Sequence, residues 1–154
     1  MVSRLPDEID ALWQERDTLS PADEDARKTV ESAVDLLDMG AARVAVVEED
    51  TDEIVVDERA RRALELLPSV FGVTESRVAE FGHRDGPPLK WRFDGVRVVP
   101  GAVARWGSYL APGTVLMPSF VDVGSHVGAG TMVDTWATVG AGAQIGRASC
   151  RERV

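Results

Sequence analysis

From Val103 to Ile145 a hydrophobic or aromatic residue returns at every sixth position: Val103, Tyr109, Val115, Val121, Val127, Val133, Val139 and Ile145. Neither the helical period of 3.6 nor the strand period of 2 produces such a beat. A hexapeptide repeat does, and it predicts a parallel β-helix. Each unit supplies one short strand and one corner, and three units close a triangular coil with the beat residue pointing inward. The fourth residue after each beat is small (Gly107, Gly113, Ser119, Ser125, Thr131, Ala137 and Ala143), as a crowded corner requires. The pattern assigns residues 96–146 to the first two to three coils and starts the first near Val98. A Gly-rich sandwich of ordinary short strands gives no reason for an unbroken six-residue beat.

The first 71 residues read as a helical α/β domain. Ile9, Leu12, Trp13 and Leu19 are spaced for an amphipathic helix over 7–17. Ser20 before Pro21 predicts an N-cap with proline at the first helical position, and Asp23 places a carboxylate at the positive end of the dipole. Val30, Ala33, Val34 and Leu37 line one face, and Gly40 stops the helix. Residues 42–48 are β-branched and short enough to form a strand that pairs with 53–56. A third helix is expected over 57–67, ended by Pro68. Residues 72–95 mix Gly, Pro and charge without period and read as a linker.

Composition narrows the class. Hydrophobic content of 44% is that of a globular chain. No apolar run reaches the length of a membrane span, and the acidic N-terminus does not read as a secretory signal, so a cytoplasmic protein is expected. A net charge of −9 argues against nucleic acid as partner. A single cysteine, Cys150, excludes an internal disulfide framework. Two histidines, His83 and His126, cannot build a three-histidine zinc site, and no metal is expected.

Few residues stand out chemically. Arg97 read alone is a solvated charge at a strand edge. Asp134 follows an inward residue where a small one is common. Beside Trp136 it would be partly desolvated, which favours a general base; the alternative is a corner Asp bonded to backbone amides. His126 reads as a surface corner residue rather than a catalytic base, and His83 as a solvated residue of the linker. Trp106 and Trp136 read as packing on the coil exterior or at a subunit contact rather than on ligand.

The run from Gly95 to Gly146 carries RVVPGAVAR, VLMPS and GTMVDTWATVG. These blocks resemble the tetrahydrodipicolinate N-succinyltransferases of diaminopimelate and lysine biosynthesis, and LLDMGAARVA resembles that family's N-terminal domain. The resemblance implies an α/β N-terminal domain followed by a left-handed parallel β-helix, here truncated. It implies an acyltransferase that moves a succinyl group from succinyl-CoA, a co-substrate rather than a bound cofactor, to the nitrogen of a cyclic imine dicarboxylate. Arg97 then matches the substrate-contacting arginine, whose planar fork suits a carboxylate. Asp134 matches a residue that contacts substrate and acts in catalysis with a glutamate from a neighbouring subunit. A homotrimer with active sites between prisms is implied, as is a coenzyme A site mostly beyond residue 146. The departures at Asp122, His126, Gly128 and Ala129 bear on the subunit contact. Two alternatives stay open: a hexapeptide acyltransferase with an acetyl-CoA donor, and a β-helix scaffold without chemistry. The segment 147–154 breaks the repeat, with Arg151 where an aliphatic residue is due. GRASCRERV matches a translated sequencing adapter, so 147–154 is expected to be non-native, and the fragment alone is expected to fold poorly or be inactive.

Overall fold

A computed structural model describes residues 5–48, 50–78, 80–146 and 149–150, with backbone alone at 78, 149 and 150. Three helices, α1 (Glu8–Gln14), α2 (Glu24–Asp38) and α3 (Glu58–Phe71), pack with an antiparallel pair, β1 (Ala45–Val47) and β2 (Ile54–Val56). Ile9, Val30, Ala33, Val34, Ala60, Ala63 and Val70 have no accessible surface and form the centre of this cluster. Asp10 on α1 accepts hydrogen bonds from Arg59 Nε and Arg62 Nη1 of α3, both at 2.7 Å. The Arg59 hydrogen bond, ahead of the other contributions, holds the Asp10 carboxyl below its ordinary range.

Three helix boundaries differ from expectation. The first helix is shorter than 7–17 at its C-terminal end. The second begins after Asp23 rather than at Ser20, because the Asp23 carboxylate turns back to accept from Ser20 N and Oγ at 2.7 and 3.0 Å. The third runs through Pro68 to Phe71 and stops at Gly72, whose φ is 63°. Proline removes one internal hydrogen bond. The turn beyond it buries Val70 completely and sets Phe71 against Trp106, which offsets that loss. The expected linker contains a hairpin, β3 (Thr74–Val78) with β4 (Phe81–Asp85), in antiparallel register from Thr74↔Asp85 to Val78↔Phe81. Its described side chains are exposed, so no apolar face announced it in the sequence.

Ten two-residue strands follow: β5 (Arg97–Val98), β6 (Val103–Ala104), β7 (Tyr109–Leu110), β8 (Val115–Leu116), β9 (Phe120–Val121), β10 (His126–Val127), β11 (Met132–Val133), β12 (Thr138–Val139), β13 (Gln144–Ile145) and β14 (Ser149–Cys150). They stack in three parallel walls, β5-β8-β11-β14, β6-β9-β12 and β7-β10-β13. This is the expected coil, but its phase corrects the beat. Pairing sets Val98 beside Leu116 and Leu116 beside Val133, so successive turns take 18 and 17 residues. The inward residues are Ala104, Leu110, Leu116, Val121, Val127, Val133 and Val139, with 0–6% exposure. Val103, Tyr109 and Val115, which the beat points inward, lie on the outer side of their strands. A five-residue unit between Leu116 and Val121, at the Pro118 corner, absorbs the shift. The six-residue spacing survives there only because each early strand carries two large apolar or aromatic residues in succession, or a valine before alanine.

The true phase explains the small residues. The position two before five of the seven inward residues holds Ser108, Thr114, Ser119, Ser125 or Thr131, all buried. Their hydroxyls donate to backbone carbonyls, for example Ser125 Oγ to Asp122 O at 2.7 Å and Thr131 Oγ1 to Gly146 O at 2.9 Å. That satisfies polar groups which would otherwise destabilise the interior.

The position three before each inward residue takes a positive φ, except at Pro118 before Val121. Gly107, Gly124 and Gly142 form one such corner in successive turns, and the helical domain packs on it. A Cβ at Gly107 would lie 2.6 Å from Val34 Cγ1, and one at Gly124 would lie 2.3 Å from Leu64 Cδ1. Four polar contacts hold the same junction. Asp38 Oδ1 accepts from Lys90 Nζ at 2.6 Å and from Gly107 N at 2.7 Å, Trp106 Nε1 donates to Asp35 at 2.8 Å, and Arg43 Nε donates to Gln144 at 3.1 Å. Trp106 therefore lies on the coil exterior as expected, against the chain's own helices.

His126 is not a corner residue. It sits on β10, stacked on Tyr109 with ring centroids 4.6 Å apart, and its Nδ1 is buried without a hydrogen-bond partner. Burial, and then the charge of Arg43, lowers its pKa to about 4. The folded chain thus keeps His126 neutral down to about pH 4, whereas the unfolded chain protonates it near 6.5. Stability is expected to fall as pH drops from about 6.5 to about 4, and His126→Phe to flatten that limb. Thermal midpoints between pH 4 and 7 measure this; equal slopes in the two proteins would contradict it.

Candidate active site

Arg97 and Asp134 lie on the same wall of the prism, two turns apart. Arg97 pairs with Val115 and Val115 with Met132; the next residues inward are Val98, Leu116 and Val133. One step further along the strands, Val99, Met117 and Asp134 stack in a second outward column. Val99 N donates to Leu116 O and Met117 N to Val133 O, both at 2.9 Å. Two inter-strand steps of about 4.8 Å and two residues along the strand, about 6.6 Å, put the two α-carbons about 12 Å apart. A guanidinium on its flexible stem and a carboxylate can approach one small dicarboxylate across that span.

The shifted phase makes this arrangement possible. Residues 97 and 133 are separated by six whole hexapeptides, so an unbroken beat would give them the same orientation. With Val133 inward, Arg97 would point into the dry interior, where an unpaired charge is prohibitively costly. The five-residue unit at Pro118 lets Val98 and Val133 both face inward, and Arg97 and Asp134 both face out.

Arg97 is exposed and Asp134 half-buried. Asp134 Oδ1 accepts from Thr135 N at 2.8 Å, and its carbonyl accepts from Ala137 N at 3.0 Å, closing a tight turn. The turn's third residue is Trp136, with φ 63° and its side chain 87% exposed. Next to it, Gly101, Val103, Ser119, Phe120, Ala137 and Thr138 line a mainly apolar cavity of about 200 Å³. The sequence reading missed what is unusual about Trp136. The signal lies in the true phase: the corners at 95, 101, 107, 113, 124, 130 and 142 are all glycine, and 136 is tryptophan. His83 lies in the exposed hairpin. Among the described residues no cluster of His, Cys, Asp or Glu is arranged to hold a metal, and no helix is long and apolar enough to cross a membrane.

Parallel two-residue strands in three walls, with a helical domain docked on one corner, define a left-handed parallel β-helix protein of the hexapeptide-repeat class. Sequence comparison narrows this class. Residues 4–67 match the family model of the tetrahydrodipicolinate N-succinyltransferase N-terminal domain. The 2,3,4,5-tetrahydropyridine-2,6-dicarboxylate N-succinyltransferase of Paramagnetospirillum magneticum is 43% identical over 156 residues, covering 90% of this chain and 53% of the relative. Those of Methylorubrum populi and Sodalis glossinidius are 42% and 39% identical, covering 94% and 93% of this chain and 55% of each relative. The chain is similar to tetrahydrodipicolinate N-succinyltransferases over 90% or more of its own length. It spans about half the length of the curated relatives it matches.

Proposed function

We propose that this chain supplies the acceptor side of an acyltransferase site that moves a succinyl group from succinyl-CoA to the nitrogen of tetrahydrodipicolinate. The single observation that carries the reading is the outward placement of Arg97 and Asp134 on one wall, in a chain whose relatives are named for this reaction. Arg97 holds a substrate carboxylate in a planar, charge-assisted contact. Asp134 accepts the proton that the nitrogen gives up. Water adds to the ring imine, the nitrogen attacks the thioester carbonyl, the C–N amide bond forms, the C–S bond breaks, and coenzyme A leaves as the thiol. Backbone or side-chain donors must hold the tetrahedral oxyanion. Succinyl-CoA is a co-substrate, and no resident cofactor or metal takes part. A homotrimer would bring a second wall, with its own acid–base group, against this one. Dependence on coenzyme A thioesters fits a cytoplasmic location.

Thiol release measured with succinyl-CoA and acetyl-CoA in parallel, on the chain extended to its relatives' length, tests the reading. Arg97→Ala is expected to raise the acceptor KM roughly tenfold to a hundredfold, the effect of a charged hydrogen-bonded contact. Asp134→Asn is expected to lower turnover. An acetyl-CoA preference, or an unchanged acceptor KM in Arg97→Ala, contradicts the assignment. Sedimentation of the same protein as a monomer contradicts the trimer.

A further inference from the structure

The corner between the Arg97–Asp134 wall and the β6-β9-β12 wall is built, turn by turn, from Gly101, Pro118 and Trp136. Trp136 N donates to Pro118 O at 2.7 Å, and Gly101 approaches Pro118 closely enough that an added Cβ would touch its ring at 3.5 Å. Every other described corner of this phase with positive φ is glycine. A tryptophan there adopts a backbone conformation that L side chains avoid. Its indole is 87% exposed, so burial within the chain does not offset the strain. Unrelieved strain beside a candidate catalytic group is a mark of function. Two geometric facts say which function. The turn that carries Trp136 also carries Asp134, and the Thr135 N–H and Ala137 N–H bonds to Asp134 tie the Trp136 backbone and the Asp134 carboxylate into one tight turn. The apolar cavity of about 200 Å³ opens beside the indole.

We infer that Trp136 is a specificity-determining residue of the acceptor pocket, its indole packing against the methylene edge of the bound dicarboxylate. The inference rests on the acyltransferase reading above. A six-membered ring with carboxylates at positions 2 and 6 has two charged corners and one purely aliphatic edge of three carbons. Arg97 answers a carboxylate and Asp134 the nitrogen. The aliphatic edge needs an apolar wall, and Trp136 with the cavity beside it supplies one. The indole thereby measures the distance between the carboxylates, selecting seven-carbon diacids over shorter ones.

The test uses two probes, heptanedioate and pentanedioate, titrated calorimetrically into the chain extended to its relatives' length and its Arg97→Ala, Trp136→Asn and Trp136→Phe variants. Each added methylene in contact contributes about 0.8 kcal/mol, so the wild type is expected to prefer heptanedioate by about tenfold. Trp136→Asn should bring that preference close to unity, and Trp136→Phe should keep most of it. Asparagine tolerates positive φ, so Trp136→Asn should also melt a few degrees higher than wild type; a purely structural tryptophan would make it melt lower. Arg97→Ala should weaken both diacids alike. If wild type binds both through Arg97 and Trp136→Asn keeps the preference, or melts lower, the Trp136 inference is overturned and the acceptor-site reading stands. If wild type binds neither diacid, or Arg97→Ala binds both as tightly as wild type, the acceptor-site reading falls and takes the inference with it.

Discussion

Gly107→Ala should unfasten the helical domain from the prism. Two costs add at this position. Its φ of 87° forces any L side chain into the left-handed region, at about 1–2 kcal/mol. The new methyl would also stand 2.6 Å from Val34 Cγ1 and 2.8 Å from Val123 Cγ2. Val34 is fully buried and β-branched, so it cannot turn aside, and overpacking of this kind costs about 1–3 kcal/mol. The sum is about 2–5 kcal/mol, a drop in thermal midpoint on the order of 10 °C for a chain of this size. Gly101→Ala is the matched control. It carries the same backbone strain, but its Cβ would meet Pro118 at an ordinary 3.5 Å, so only the strain should register. Val34→Ala in the Gly107→Ala background should recover part of the loss, because it removes the methyl groups that clash. Thermal melts of the four proteins check this, with the fluorescence of Trp106, hydrogen-bonded to Asp35 across the junction, reporting the docking. Equal losses for Gly101→Ala and Gly107→Ala would mean that the glycine corner serves the coil's backbone and not the contact between domains.

That contact was invisible to the sequence reading, for a physical reason. A hexapeptide glycine looks the same whether its missing side chain makes room for the chain's own turn or for a neighbouring helix; only the approach of Val34, Leu64 and Val44 separates the two. The coil itself was legible, because inward residues repeat at short range and every turn reports again. Its phase was not. In β7 and β8 the pairs Tyr109–Leu110 and Val115–Leu116 offer two large residues, and the wrong one continues a beat that is correct from Val121 onward. Glycine placement held the answer, since Gly107 and Gly113 sit three residues before Leu110 and Leu116 as Gly124 and Gly130 sit before Val127 and Val133.

Local rules failed where tertiary contacts outweighed them. Proline stops helices on average, but α3 gains the burial of Val70 by continuing past Pro68. The hairpin of 74–85 buries no apolar face and left no periodic trace. Arg97 and Asp134 were singled out as a pair on family resemblance, and what places both outward is the five-residue unit at Pro118. The expectation for residues 147–154 falls largely outside the described residues; backbone pairing of Ser149–Cys150 with Met132–Val133 continues the wall for one step. Trp136 was read as exterior packing, and its φ and exposure give it a different standing.

The Arg97–Asp134 pairing depends on that shortened turn, because an unbroken beat would drive either residue into the prism's interior. The most direct test is the stability of Leu116→Ala against that of Val115→Ala. Leu116 has no accessible surface and fills the prism between Val98 and Val133. Truncating it leaves a cavity and should cost about 2–5 kcal/mol. Val115 is only partly covered on the outer wall, so its truncation should cost about 0.5–1 kcal/mol. Denaturant midpoints measured on both variants decide between the two phases. The shortened turn predicts the large loss at Leu116, and a large loss at Val115 with Leu116 tolerant would contradict it.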